Sequence, residues 1–330
     1  MSDDKDTSFL RKFEERWCTA LGIFNPYIDP FDNHLHGDIA IYDSVCYEQY
    51  PEHNFVYDKL WIAESQGLPA GTVEELHKSG LKDMPSFPIF IKPRWGHKTS
   101  SSRHCSKAET IEDLPSEASA SEHDLMWSPF IDGTEGMTDF VLSGGRIVYQ
   151  MTHVYSQEQT SFTESWKFTS PQNKPPPVVE RWVVDNLSDF NGVVNVQYRN
   201  DTIIEVGLRP ARGGAYFVAT DNKVLLDNLS ATLANGDWQF TDERTLAYKP
   251  FYSFKCHTEA PIVYTWPQPV IDAIMMSLTN RPFYEYYAEP TGKKGMVFFQ
   301  FMHDDLEKGK SACRLIEALF YYTQYAMVAM

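Results

Sequence analysis

Apolar positions recur along this chain in two periods. Near Val56, Leu60 and Ala63 they fall at helical spacing and stop at Gly67-Leu68-Pro69, where glycine and proline end a helix. Residues 72–78 predict a second short helix, with Thr72 and Glu75 spaced as a capping box. Further helices are expected over 8–21, 108–114 and 178–187. Short apolar runs predict strands over 37–42, 87–93 and 125–130, the second delivering Lys92 at its end. Residues 138–142 and 146–151 predict a hairpin across Ser143-Gly144-Gly145. Residues 193–199 and 203–206 predict another around Asn200-Asp201-Thr202. The polar stretch 156–177 ends in three prolines and reads as a long surface excursion. Antiparallel hairpins mixed with helices predict an α+β fold rather than a doubly wound parallel sheet.

The most apolar stretch, 311–330, carries Arg314, Glu317 and Gln324. A charge at bilayer depth costs about 2.5–3.5 kcal/mol, so a membrane span is not expected. Leu315, Ile316, Leu319 and Phe320 instead form a helical stripe, to be buried on the chain's own core or against a second copy in a homodimer. The formal charge of −16 argues against nucleic-acid backbone binding, which needs a basic footprint. It leaves room for a local basic pocket that takes a small anion. Five scattered cysteines without a CxxC pair, and an acidic N-terminus without an apolar signal core, predict a reduced, cytoplasmic protein. His34 and His36 form an HxH with no second ligand cluster, which reads as a solvated turn rather than a metal site.

Four segments carry the chemistry. They are Tyr57-Asp58-Lys59-Leu60-Trp61-Ile62-Ala63 with Gln66-Gly67-Leu68-Pro69, then Phe87-Pro88-Ile89-Phe90-Ile91-Lys92-Pro93, then Met126 through Glu135. The fourth is Phe190 through Gln197 with Ile203 through Arg212. In this order they resemble the ATP-grasp superfamily of carboxylate ligases, among them carbamoyl-phosphate synthase, biotin carboxylase and D-alanine ligase. The resemblance covers roughly residues 55–220.

It implies two lobes sandwiching a nucleotide: a short N-terminal region (1–52), a small lobe (53–124), and a large lobe with a C-terminal extension (125–330). It implies that Lys59 and Lys92 reach the phosphates of ATP. Pro129 would offer its carbonyl, and Ile131 its N–H and C=O, to the adenine edge, with Glu135 on the ribose. Gln197 and Glu205 would hold Mg²⁺, and Arg209 and Arg212 the γ-phosphate and an acyl phosphate. The phosphate loop departs from the family pattern, keeping only Gly96, so Lys98 and Arg103 would supply side-chain charge.

The residues themselves support part of this. A glutamate on a strand of Ile203, Ile204 and Val206 needs a reason, either a cation or Arg209. If Arg199 opposes Ile203, Gln197 opposes Glu205 and both face one side. In that register Asn195 opposes Gly207, which stands where the family has its second metal-binding asparagine. The Asn195 amide oxygen could enter that space and join a second Mg²⁺, or simply bond nearby backbone. The implied function is ATP-dependent joining of a small-molecule or peptide carboxylate to an amine. A kinase or protein-modifying amino-acid ligase on the same fold is one alternative. A nucleotide-binding protein without catalysis is the other.

Overall fold

The computed structural model describes residues 40, 42–80, 85–98, 104–157, 166–239, 242, 244–258, 284–290 and 296–328. The expected helix over 8–21 and the His34/His36 pair lie outside them. Of the expected strand over 37–42 only Ala40 and Tyr42 are described, and neither is in a strand. The fold is α+β, in two compact units. Of the described residues, one comprises those from 40 to 157 and from 169 to 249, the other those from 166 to 168 and from 250 onward.

The first unit opens with helix α1 (Asp43–Gln49). Only Cys46 is buried in it, so no amphipathic stripe announced it. The continuous helix expected from Val56 is broken. A 3-10 turn, Asn54–Tyr57, gives way to α2 (Lys59–Ser65), because Asp58 is extended and its carboxylate accepts the Leu60 N–H at 3.0 Å. After β1 (Gly71–Thr72), α3 (Val73–Lys78) begins with the predicted capping box. In β2 (Ile89–Pro93) Ile89, Ile91 and Pro93 are buried while Phe90 and Lys92 take the other face. Then come β3 (Ser106–Ala108), α4 (Glu117–Glu122) and β4 (Leu125–Pro129). The helix expected over 108–114 is only a 3-10 turn, Ile111–Asp113. The small sheet runs β1-β4-β2-β3 over a core of Val73, Leu76, Ile89, Ile91, Leu125 and Trp127.

The larger sheet contains β5 (Glu135–Ser143) and β6 (Arg146–Tyr155). The stretch read as a surface excursion contains a strand, β7 (Trp166–Thr169). Its buried side chains are Lys167 and Thr169, polar residues that hide the alternation from a hydrophobicity reading. Helix α5 (Pro177–Asn186) is followed by β8 (Gly192–Arg199) and β9 (Thr202–Gly207). Within this unit the antiparallel order is β6-β5-β8-β9. Val179, Trp182 and Val183 of α5 pack with Phe140, Val194, Val196 and Val206. The β5–β6 turn needs glycine at 145: φ is +70°, and a Cβ there would lie 1.7 Å from the Ser188 carbonyl oxygen. Helices α6 (Ala215–Val218) and α7 (Lys223–Asn235) close the unit.

In the second unit β12 (Met296–His303) pairs antiparallel with β10 (Phe251–Thr258) and β11 (Tyr284–Pro290). Helix α8 (Leu306–Val328) buries Ala312 and Ile316 against Phe254, Phe299 and Phe301, so the C-terminal helix docks on its own core. Leu315, expected in the buried stripe, is exposed. Among the described residues no helix is long and apolar enough to cross a membrane.

Candidate active site

The site is built on the β8–β9 hairpin. Asn200, at φ +48°, makes the turn tighter than expected, so Arg199 opposes Thr202 and Tyr198 opposes Ile203. Ile204 then falls outside the pairing as a bulge, and the register resumes with Gln197 opposite Glu205 and Asn195 opposite Gly207. The expected pairing of Arg199 with Ile203 is therefore off by one residue. The bulge cancels the offset, and the Gln197–Glu205 pair forms as expected.

Two lysines converge on β9. Lys92 Nζ donates to the Ile204 carbonyl oxygen at 2.7 Å, and Lys59 Nζ lies 3.1 Å from Glu205 Oε1. They meet because the segments that carry them are laced together. Arg94 forks onto Asp58 at 2.8 and 2.6 Å, and the Lys59 N–H donates to the Arg94 carbonyl oxygen at 2.9 Å. Gln66 completes the edge, its amide giving and taking one hydrogen bond with the Ile203 backbone at 2.9 and 2.8 Å. Sequence reasoning missed Arg94 and Gln66 as organisers, although both sit inside the quoted motifs or one residue beyond them.

The charges shape one another. Burial, with Lys59 beside it, pushes the Lys92 ammonium down to about 8. Burial works to raise the Glu205 carboxyl, but Lys59 and Lys92 outweigh it and hold it below the usual range. Gln197 Nε2 donates to the Tyr155 hydroxyl at 3.0 Å, which leaves Oε1 as the amide's acceptor. Among the described residues no group of three or more His, Cys, Asp or Glu side chains could hold a metal ion. Glu205 and the Gln197 oxygen on opposed positions suit a Mg²⁺ that takes its other ligands from phosphates and water.

Arg199 ties Ile131 to Glu135. Its Nη1 donates to the Ile131 carbonyl oxygen at 3.1 Å, and Nε and Nη2 donate to Glu135 Oε2 at 3.2 and 3.0 Å. Pro129 ends β4 opposite Ile89, and the Phe130 N–H donates to the Pro88 carbonyl oxygen at 3.0 Å. Lys98 is exposed, its Nζ 5.7 Å from the Trp95 ring centroid. Next to it His97 stacks on Tyr47 at 3.6 Å between centroids.

Arg209 and Arg212 follow β9. Arg209 Nη2 donates to Asp43 Oδ2 at 2.5 Å and Nη1 to the Pro210 carbonyl oxygen at 3.2 Å. Burial opposes the Arg209 charge, but Asp43 outweighs it and raises the guanidinium's pKa. Arg212 holds a left-handed backbone, φ +49°. The space over Gly207 contains Asp43: a Cβ on Gly207 would lie 2.7 Å from Asp43 Oδ1. Asn195, directly opposite, turns its amide elsewhere and donates from Nδ2 to the buried Asp139 at 2.8 Å. The same Asp139 oxygen accepts the Ala211 N–H at 2.9 Å and so tethers the arginine turn. Asp43 carried no signal in the sequence, since it precedes every motif.

No family model matches the sequence, and no curated protein matches it. Solved structures do. A carboxyaminoimidazole ribonucleotide synthase from Aspergillus clavatus, complexed with ATP, is 12% identical with a TM-score of 0.57, over 84% of this chain and 80% of that one. An L-amino acid ligase from Bacillus licheniformis is 14% identical with a TM-score of 0.52, over 80% and 71%. An N5-carboxyaminoimidazole synthetase from Staphylococcus aureus, complexed with ADP, is 11% identical with a TM-score of 0.53, over 78% and 70%. The chain has the ATP-grasp fold that its motifs resemble.

Proposed function

We propose that the protein is a cytoplasmic ATP-dependent ligase that joins a carboxylate to an amine through an acyl phosphate. The observation that carries this reading is the convergence of Lys59 and Lys92 on β9 beside Glu205. Two ammonium groups at a strand edge suit a triphosphate, through charge-assisted hydrogen bonds. Lys59 exchanges Glu205 for phosphate oxygen, which frees that carboxylate. Glu205 and Gln197 are the residues that would hold Mg²⁺, which when bound offsets charge on the transferring phosphoryl group. Residues 53–124 act as the small lobe and 125–330 as the large lobe with its extension. Pro129, Ile131 and Glu135 serve the nucleoside end, and Lys98 adds charge at the phosphate loop.

A substrate carboxylate oxygen attacks the γ-phosphorus of ATP and the β–γ bridging bond breaks, releasing ADP. An amine then attacks the acyl carbon, inorganic phosphate leaves with the bonding pair, and the amine proton passes to solvent. Arg209 and Arg212 hold the phosphoryl oxygens through both steps, since guanidinium stays charged and forks onto them. The carboxylate belongs to a small molecule or a peptide.

A second reading, nucleotide binding without catalysis, is favoured by the engagement of Arg209 with Asp43. Hydroxylamine trapping separates the two. Incubated with ATP, Mg²⁺ and a panel of carboxylates, a ligase yields a hydroxamate with its own substrate. ATP binding with no hydroxamate and no ADP release across the panel favours the second.

A further inference from the structure

Asp43 and Arg209 are 166 residues apart in sequence and form an ion pair at 2.5 Å, each side chain 24% exposed. The pair looks costly as a stabilising device. Asp43 Oδ1 is buried with no hydrogen-bond partner among the described residues, and a carboxylate oxygen left so carries a desolvation penalty. Room for it exists only because position 207 has no side chain. The strand thus gives up a side chain on the site face, opposite Asn195, to admit a carboxylate from α1.

That carboxylate fixes the guanidinium. Arg209 has five N–H donors in a planar fork. One goes to Asp43 and one to the Pro210 carbonyl oxygen. With two donors anchored in different directions the plane of the fork is set, and the remaining donors keep one orientation. An arginine held in this way loses little side-chain entropy when it meets an anion. The turn beyond it is held as well, by Asp139 on the Ala211 N–H.

We propose that Asp43 is a positioning residue of this site: it aims Arg209 at the terminal phosphoryl group of the nucleotide, and Gly207 is kept bare to admit it. The inference rests on the nucleotide reading above. It requires no displacement of Asp43 during binding, because the anion uses donors that the ion pair leaves over.

The test compares ATP with ADP, which differ by the group Arg209 is aimed at. Calorimetry gives both affinities for the wild-type chain, D43N, R209A and the double variant. The expected result is a wild-type preference for ATP that D43N reduces by about tenfold or more, the size of one charge-assisted hydrogen bond. ADP affinity stays unchanged, R209A shows the same loss, and the double variant loses nothing further. Equal weakening of ATP and ADP in D43N marks a merely structural role and overturns the proposal. So does an intact preference in D43N, or no preference in the wild type. D43A, which opens the space instead of refilling it, is used if D43N unfolds, and is judged by the same outcomes; loss of fold in both also overturns the proposal. A wild-type chain that binds neither nucleotide overturns the nucleotide reading itself, an outcome distinct from all of these.

Discussion

Lys92 Nζ donates to the carbonyl oxygen of Ile204, the one residue of β9 that stands outside the pairing with β8. The bulge therefore has two consequences. It brings Glu205 opposite Gln197, and it places the neighbouring carbonyl under the lysine. The strand irregularity and the candidate phosphate ligands form one local structure.

The Lys92 ammonium, lowered by burial and by Lys59 to about 8, predicts a pH dependence. Only the charged form neutralises phosphate, so ATP affinity should fall as pH rises through that value. Bound triphosphate favours the charged form, so the break moves upward in the complex. For stability the sign is opposite. The folded value lies below the ordinary 10.5, so the unfolded chain binds more protons between the two and this group adds stability as pH rises across that window. Calorimetry of ATP binding against pH checks the first statement. Lys92→Arg, charged throughout, should remove the break.

Glu205→Gln should abolish the dependence of ATP binding on Mg²⁺ with little loss of stability. Lys59 is buried while the Glu205 side chain is 42% exposed, and the glutamine amide oxygen still offers the ammonium a hydrogen-bond acceptor. A Mg²⁺ titration of the ATP complex, run beside thermal unfolding, measures both. A large fall in Tm with metal dependence intact would make the pair structural.

Gly207→Ala should destabilise the protein by about 1–3 kcal/mol, the usual cost of forcing a methyl into occupied space. The new Cβ meets Asp43 Oδ1 at 2.7 Å. Adding Asp43→Ala should recover most of the loss, because the two groups compete for one volume. Urea unfolding of both single variants and the double variant gives the coupling.

The legible parts of this fold were those written in apolar period or in capping chemistry. The capping box at Thr72 and Glu75, the strand ending in Lys92 and the β5–β6 hairpin all formed as expected. The Gln197–Glu205 pair also formed, although through a bulge that no periodicity encodes, since Ile203 and Ile204 look alike in sequence. Helix α1 was invisible because it buries one side chain, and β7 because its buried positions are lysine and threonine. Asp43 illustrates the general limit. Its role comes from a long-range contact with Arg209 and from the missing side chain at Gly207, and neither leaves a local pattern around residue 43.

If Lys59 and Lys92 form the phosphate end of a nucleotide site, calorimetry with ATP and with adenosine separates their contribution from that of the nucleoside. Lys92→Met should weaken ATP by about 1.5–3 kcal/mol, the range for a charge-assisted hydrogen bond, and Lys59→Met should do likewise, while adenosine affinity stays unchanged in both. Equal ATP affinity in wild type and Lys92→Met, or a matching loss for adenosine, would contradict the account.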